Sequence, residues 1–241
     1  MAKTRRMKKN KKRFVSFFSD LFFNVCAVIG IVGGYPFEWF VFRRKVYYED
    51  KSVQKRFIKG GALIISNHYN PWDFVAEVFQ VFPRKLYVVC SEHGFTTPFR
   101  RFGMRFWGGI QADRPSKDMS FVKTSIELIK KGKLVLIFPE GHNTPDGTIK
   151  EFYPSYLSIA YKSGRPIIPI VTDGNFWPDK RLRVIVGKPI YLRELMEDPE
   201  RYTKAEIERL NKTVRDKVLE LRERLEEYAE KEEKRSLKTD K

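Results

Sequence analysis

The stretch ALIISNHYNPWDF, residues 62–74, sets the reading of the whole chain. Its first half, ALIISN, reads as a strand buried on both faces of a sheet, because the apolar run is continuous rather than alternating. Asn70-Pro71 then breaks the run. Asn suits a helix N-cap, Pro the first helical position, and Asp73 falls at the third. A helix is predicted from Pro71 to Phe82. His68 sits where the strand gives out, still extended, and Asp73 on the first turn can reach back to its ring. The carboxylate would accept one ring N–H and leave the other nitrogen free as a base. That is the orienting logic of the serine-hydrolase triad without a serine. On these residues alone a plain alternative stands beside it, in which Asp73 only caps the helix and His68 only ends the strand.

The same punctuation recurs along the chain. LYVVCS (86–91), GGIQAD (108–113), KLVLIF (133–138), PIIPIV (166–171) and LRVIVG (182–187) read as strands, with helices at 116–131 and 154–162 between them. Strands alternating with helices predict an α/β domain: a mixed, largely parallel central sheet flanked by helices. From Thr203 a long amphipathic helix is expected, opened by a Thr203/Glu206 capping box. Ile207, Leu210, Val214, Val218, Leu221, Leu225 and Tyr228 form one apolar stripe along it, which packs on the domain. Residues after about 230 are expected to fray. The domain layout is then a basic arm and apolar anchor over 1–45, a catalytic domain over 46–200, and the helix with its charged tail over 201–241.

Four segments lie just past the carboxyl ends of predicted strands: Asn67-His68, Asp113-Arg114, Phe138-Pro139-Glu140-Gly141 and Asp173-Gly174. If those strands run parallel, the four meet along the one sheet edge where α/β proteins bind ligands.

The chain has 241 residues and a formal net charge of +17, which points to an anionic partner: nucleic acid, an acidic membrane surface or a phosphorylated substrate. Residues 1–13 carry eight Lys or Arg, and an apolar stretch, 14–42, follows before Arg43-Arg44-Lys45. Its uncharged run from Leu21 to Phe37 is short for a span and is interrupted at Gly33-Gly34-Tyr35-Pro36. Basic clusters at both ends would place both in the cytoplasm. We therefore read an N-terminal membrane-anchoring segment bent into one leaflet, monotopic at the cytoplasmic face of the membrane. A single span and an apolar helix packed on the domain are the alternatives. Cys26 and Cys90 offer no disulfide framework and no metal-ligand spacing.

Taken in order, these motifs resemble those of the glycerolipid acyltransferases, the family of bacterial 1-acylglycerol-3-phosphate acyltransferases. His68-Tyr-Asn-Pro-Trp-Asp73 matches the family's HX4D block, Gly108–Arg114 its Gly-x-Ile-x-x-x-Arg block, and Phe138–Gly141 its Phe-Pro-Glu-Gly block. Ile167-Ile168-Pro169-Ile170 matches its Pro-containing strand. The resemblance covers roughly residues 60–190. It implies transfer of a fatty acyl group from a thioester, acyl-CoA or acyl carrier protein, to the hydroxyl of a lysophospholipid acceptor on a membrane phospholipid surface, with no metal and no bound cofactor. It implies that His68 is the base and Asp73 its partner, and that Arg114 holds the acceptor's phosphate. Glu140 and Gly141 would shape the acceptor pocket, with a purely structural turn acid the alternative for Glu140, and His142 would act on specificity. Two positions depart from the family. Thr-Arg after the Glu-Gly is His142-Asn143, and the basic residue after the next phenylalanine is Tyr153. Arg114 is retained, with Lys150 and Arg165 near in sequence. Two other classes stay in view. A basic nucleic-acid-binding protein would fit the charge, but no recognition helix or RNA-binding signature supports it, and no nucleic acid is expected. A catalytically silent lipid-binding relative would keep the fold without the chemistry.

Overall fold

Neighbouring residues on a strand point to opposite faces, and in this chain that splits the apolar runs between two cores. The computed structural model describes residues 20–34, 36, 40, 43–53, 57–71, 73–112, 119–175 and 181–239. After a helix α1 over 20–34 come β1 (Lys45–Tyr48), β2 (Ala62–Ser66), α2 (Asp73–Val81), β3 (Leu86–Ser91), a 3₁₀ turn (Glu92–Phe95), α3 (Pro98–Phe106), β4 (Gly109–Ala112) and α4 (Ser120–Lys130). Then follow β5 (Leu134–Ile137), α5 (Ser155–Ser163), β6 (Ile167–Thr172), β7 (Arg183–Val186), α6 (Leu192–Leu195) and α7 (Lys204–Thr239). Among the described residues the strands form one sheet in the order β1-β7-β6-β2-β5-β3-β4. Every pairing is parallel except β6 with β7. The mixed, largely parallel sheet is as expected.

Leu63 and Ile65 of β2 and Val135 and Ile137 of β5 pack with α4, α5 and α7 on one face. Ala62 and Ile64, with Leu134 and Leu136, pack with α2 and Ile31 of α1 on the other. The result is a three-layer arrangement with β2 at its centre, between β5 and β6. The carboxyl ends of the parallel strands therefore open on one edge, where the site lies.

Several elements differ from the sequence reading. β1 was not expected: KVYY is half-buried along its length and has no apolar run to announce it. It is an edge strand defined by its neighbours, pairing Lys45 with Arg183. α3 was also missed, although Thr97 and Pro98 carry a start signal. Thr97 accepts the Arg100 N–H, and Pro98 takes the first helical turn. The segment 113–118, which includes the start of the predicted 116–131 helix, lies outside the described residues.

The tail is corrected in two respects. α7 does not fray after 230 but continues to Thr239. Glu232 explains this: it accepts hydrogen bonds from Lys45, from Tyr47 Oη at 2.7 Å and from Arg183 Nε at 2.9 Å. Burial alone would raise its carboxyl, but these donors outweigh it and hold the group down at about 2. Tyr47 and Tyr228 stack with centroids 4.4 Å apart. At the other end only half of the capping box forms. Thr203 Oγ1 accepts the Glu206 N–H at 3.2 Å, while the Glu206 carboxylate turns to Arg209. The α7 stripe packs on the domain as expected, within the same core as α4 and α5.

The expected membrane-anchoring segment falls partly outside the described residues. Among those described, no helix is long and apolar enough to cross a membrane. α1 is docked by one face. Ala27 and Ile31 are buried, Gly30 lies against the Phe106 ring, and Asn24 accepts from Lys85 Nζ at 3.0 Å. Phe22, Val25, Ile29 and Val32 on the same helix are exposed.

Leu210, Val214, Val218, Leu221 and Leu225 of α7 are sealed from solvent. Leu221→Ala should cost about 2–5 kcal/mol in urea unfolding, through lost transfer energy and the cavity left behind. Leu237→Ala, on the exposed end of the same helix, should change stability by less than about 0.5 kcal/mol.

Candidate functional site

Where β2 ends, a side chain takes over the ladder. Asn67 Nδ2 donates to the Thr172 carbonyl at 3.0 Å, and Thr172 N–H donates to Asn67 Oδ1 at 2.9 Å. This buried amide continues the pairing with β6 for one more residue and fixes the direction in which His68 leaves the sheet.

Four groups then hold His68. Its N–H donates to Glu140 Oε1 at 3.1 Å, and its carbonyl accepts the Thr144 N–H at 2.7 Å. Its ring stacks on Phe138, centroids 4.1 Å apart and 14° from parallel. Nδ1 lies 2.8 Å from Asp73 Oδ2. The same oxygen accepts the Asn70 N–H at 3.0 Å, which closes the turn over the helix start. A carboxylate can only accept, so Nδ1 carries the proton and Nε2 is left with its lone pair. The His68 side chain is 16% exposed and that of Asp73 0%. The imidazole is therefore reachable while its carboxylate partner is sealed.

Phe138–Gly141 forms a tight turn after β5, closed by Gly141 N–H to the Phe138 carbonyl at 3.0 Å. Gly141 takes a φ of +72°, a backbone region open to glycine and costly for other residues. Gly141 and His142 line the cavity. Glu140 does not. It was expected to shape the acceptor pocket directly; instead it is fully buried beneath it. Its second oxygen accepts the Lys150 N–H at 3.0 Å and lies 3.3 Å from Thr144 Oγ1. Burial raises its carboxyl, and the backbone donors of Lys150 and His68 work against that. Glu140 holds the main chain of the base instead of touching what binds above it.

The cavity beside His68 measures about 1120 Å³. Phe74, Val88, Met104, Trp107, Ile137 and Phe138 give it apolar walls, and Ser91, His93, His142, Asn143 and Tyr153 supply polar groups. His93 and the β3 end are thus part of the site, which the sequence reading did not assign. Cys90 also lines the wall, but burial pushes its thiol up to about 12, which suits packing and not attack. Arg114 lies outside the described residues. The flanking Ala112 and Met119 both line the cavity.

The fourth segment serves as support. Asp173 Oδ1 accepts the Arg183 N–H at 3.1 Å, and Oδ2 pairs with Arg183 Nη1 at 3.3 Å, tying β6 to β7. Gly174, at φ +71°, has no Cβ where the Tyr69 ring packs. Among the described residues, no cluster of His, Cys, Asp or Glu could hold a metal ion. Chemically, the arrangement can take a proton from a hydroxyl group brought to Nε2 beside an apolar chamber.

Comparison with known proteins points the same way. The acyltransferase family profile matches residues 43–173. A chloroplastic 1-acyl-sn-glycerol-3-phosphate acyltransferase of Brassica napus is 33% identical over 109 residues, covering 40% of this chain and 32% of its own. The 1-acyl-sn-glycerol-3-phosphate acyltransferase of Pseudomonas aeruginosa is 30% identical over 126 residues, covering 48% and 46%. The chain thus spans less than half the length of these two relatives. The crystal structure of the 1-acyl-sn-glycerophosphate acyltransferase of Thermotoga maritima shares the fold, with a TM-score of 0.53, 20% identity, and 75% and 73% of the two chains covered.

The tautomer can be read directly. Nitrogen NMR of the His68 ring should show Nδ1 protonated and Nε2 bare. In Asp73→Asn the amide can donate to Nδ1, so the proton should move to Nε2. An unchanged ring spectrum in a folded Asp73→Asn protein would remove Asp73 from the orienting role.

Proposed function

This chain belongs to the acyltransferase family, and from that premise we propose that it moves a fatty acyl group from a thioester to the hydroxyl of a lysophospholipid. The observation that carries the reading is His68 Nε2 left free beside an apolar cavity, with Nδ1 held by the buried Asp73. A thioester is already activated, so the protein supplies a base and needs no nucleophile of its own. The hydroxyl proton passes to Nε2 as its oxygen attacks the thioester carbonyl. The tetrahedral adduct collapses, the carbon–sulfur bond breaks, and the imidazolium returns the proton to the departing thiolate. Asp73 stabilises the imidazolium between the two transfers. The donor is acyl-CoA or acyl carrier protein, whose chain suits the apolar walls.

The acceptor we propose is 1-acylglycerol-3-phosphate, giving phosphatidic acid. The support is the substrate in the relatives' names together with Arg114, whose planar fork suits a phosphate. Asn143 and Tyr153 on the cavity wall stand where the family carries cations, and they bring neutral donors to the same place.

We also place the protein on the cytoplasmic face of a membrane, held by one leaflet. Support comes from the exposed Phe22, Val25, Ile29 and Val32 of α1. Phe99 and Phe102 of α3 are exposed too, on a helix that carries Arg100, Arg101 and Arg105. Phe102 touches Phe23 of α1, with centroids 5.8 Å apart. Met104 and Trp107, at the end of α3, line the cavity. A lipid surface against these two helices would lie close to the chamber.

Purified full-length protein should acylate lysophosphatidate when offered a panel of lysolipids and a thioester donor, read by mass spectrometry. His68→Ala should lose about 10²–10⁴ in rate, and Arg114→Ala should raise the acceptor's KM far more than the donor's. Near-normal turnover by folded His68→Ala protein would overturn the mechanism. Equal loss with an acceptor lacking phosphate would overturn the role of Arg114.

Replacing Phe22, Ile29, Phe99 and Phe102 by serine should release the protein from anionic vesicles in high salt, where the unaltered protein stays bound. Retention of the quadruple variant would refute these faces as the contact.

A further inference from the structure

The first two turns of α2 set two carboxyl groups one above the other. Asp73 and Glu77 are four residues apart, so they share a helix face, and both are 0% exposed. Each has one oxygen engaged and one idle. Asp73 Oδ2 takes the His68 ring and the Asn70 N–H, while Oδ1 is buried without a partner among the described residues. Glu77 Oε1 accepts the Ser66 hydroxyl at 2.7 Å, while Oε2 is likewise buried without a partner among the described residues.

Two ionised carboxylates so placed would repel each other out of reach of water, with two acceptors unsatisfied. One proton removes both problems. A protonated Glu77 becomes a donor, and the acceptor left idle one turn away is Asp73 Oδ1.

We propose that Glu77 is a positioning residue of the site: it is uncharged at neutral pH and donates its carboxyl proton to Asp73 Oδ1, so that Ser66, Glu77, Asp73 and His68 form one hydrogen-bonded relay. The Ser66 hydroxyl donates to the Glu77 carbonyl oxygen, Glu77 donates to Asp73, and Asp73 accepts from His68. The relay anchors the orienting carboxylate to β2.

The surroundings agree. Burial pushes the Glu77 carboxyl up to about 8, the Ser66 bond and the charge of Arg44 oppose this, and the charge of Asp73 adds to it. Arg44, just ahead of β1, is the cation that faces this carboxyl. Its N–H groups bond to the carbonyls of Ala76 and Phe79 and to Gln80 Oε1. The sign of the pH effect follows. An acid whose folded value is raised contributes stability that is fully present below its ordinary value of about 4.5. That contribution is lost as pH climbs through about 8.

Glu77→Gln and Glu77→Leu test the relay. Gln keeps both bonds, with its amide N–H to Asp73 and its carbonyl to Ser66, and it does not titrate. Infrared spectroscopy of the full chain at neutral pH should show the carbonyl stretch of a protonated acid that vanishes in Glu77→Gln. Melting temperature should fall as pH rises through about 8 in the unaltered protein, and this fall should be smaller in Glu77→Gln.

The kinetic arm rests on the acyl-transfer reading given above. Glu77→Gln should leave the acidic limb of kcat/KM in place. Glu77→Leu should lower kcat about tenfold, the equivalent of one lost buried hydrogen bond, with both KM values held. The proposal is overturned if Glu77→Gln removes no infrared band. It is also overturned if that variant moves the acidic limb to lower pH, as loss of a negative charge beside the base would, or if folded Glu77→Leu turns over normally. Should the unaltered protein transfer no acyl group, the catalytic reading fails, while the infrared and melting measurements still decide the protonation of Glu77.

Discussion

The parallel pairing of β2 with β5 is the constraint on which the site depends. It sets Ile65 beside Ile137, so the two chains leave the sheet side by side and in the same direction. One carries His68 and the other Phe138–Gly141. Only in that register can the His68 main chain reach Glu140 while its ring lies on Phe138. A slip of one residue would turn every side chain of β2 to the opposite face and break both contacts. The two cores hold the register, since each claims alternate residues of the same strands.

Beneath the catalytic edge lie three carboxyl groups with three different duties, set by what surrounds each. Asp73 accepts from the imidazole and a backbone N–H, so it orients the His68 ring. Glu140 accepts from the His68 and Lys150 N–H groups, so it braces the main chain of the base. Glu77 is fully buried with one hydroxyl donor and an idle acceptor one turn away, and Arg44 does not offset that burial, so it holds its proton and becomes a donor itself. The same side-chain chemistry gives an orienter, a brace and a positioning acid, because donors are distributed unevenly within one sealed region.

α7 has a comparable double function. Its apolar stripe completes one core, while Glu232 gathers Lys45 and Tyr47 from the edge strand β1 and Arg183 from its neighbour β7. A helix far along the chain therefore ties the edge strand to its neighbour from one face of the sheet. The opposite edge leads through β3 and β4 to the cavity wall. There α3 presents apolar walls inward and aromatic and basic groups outward.

The sequence by itself determined the alternation of strand and helix, the largely parallel sheet, and the pairing of His68 with Asp73. The reason is locality: a strand, a cap and one helical turn fix that geometry within six residues. It also marked Gly141 and His142 as neighbours of the base, through a motif whose turn is equally local. Only the tertiary structure decided the rest. Glu140 reads as a pocket residue until β5 is laid against β2, 72 residues apart at the contact with His68. Glu77 reads as an ordinary polar position in a helix until Ser66 closes over it. β1 and the last turns of α7 have no apolar pattern to declare them, since each is held by the other's polar groups across 187 residues. Propensity and periodicity report what a segment does alone, whereas burial, which gives these carboxyls their roles, is a property of segments that meet only in the fold.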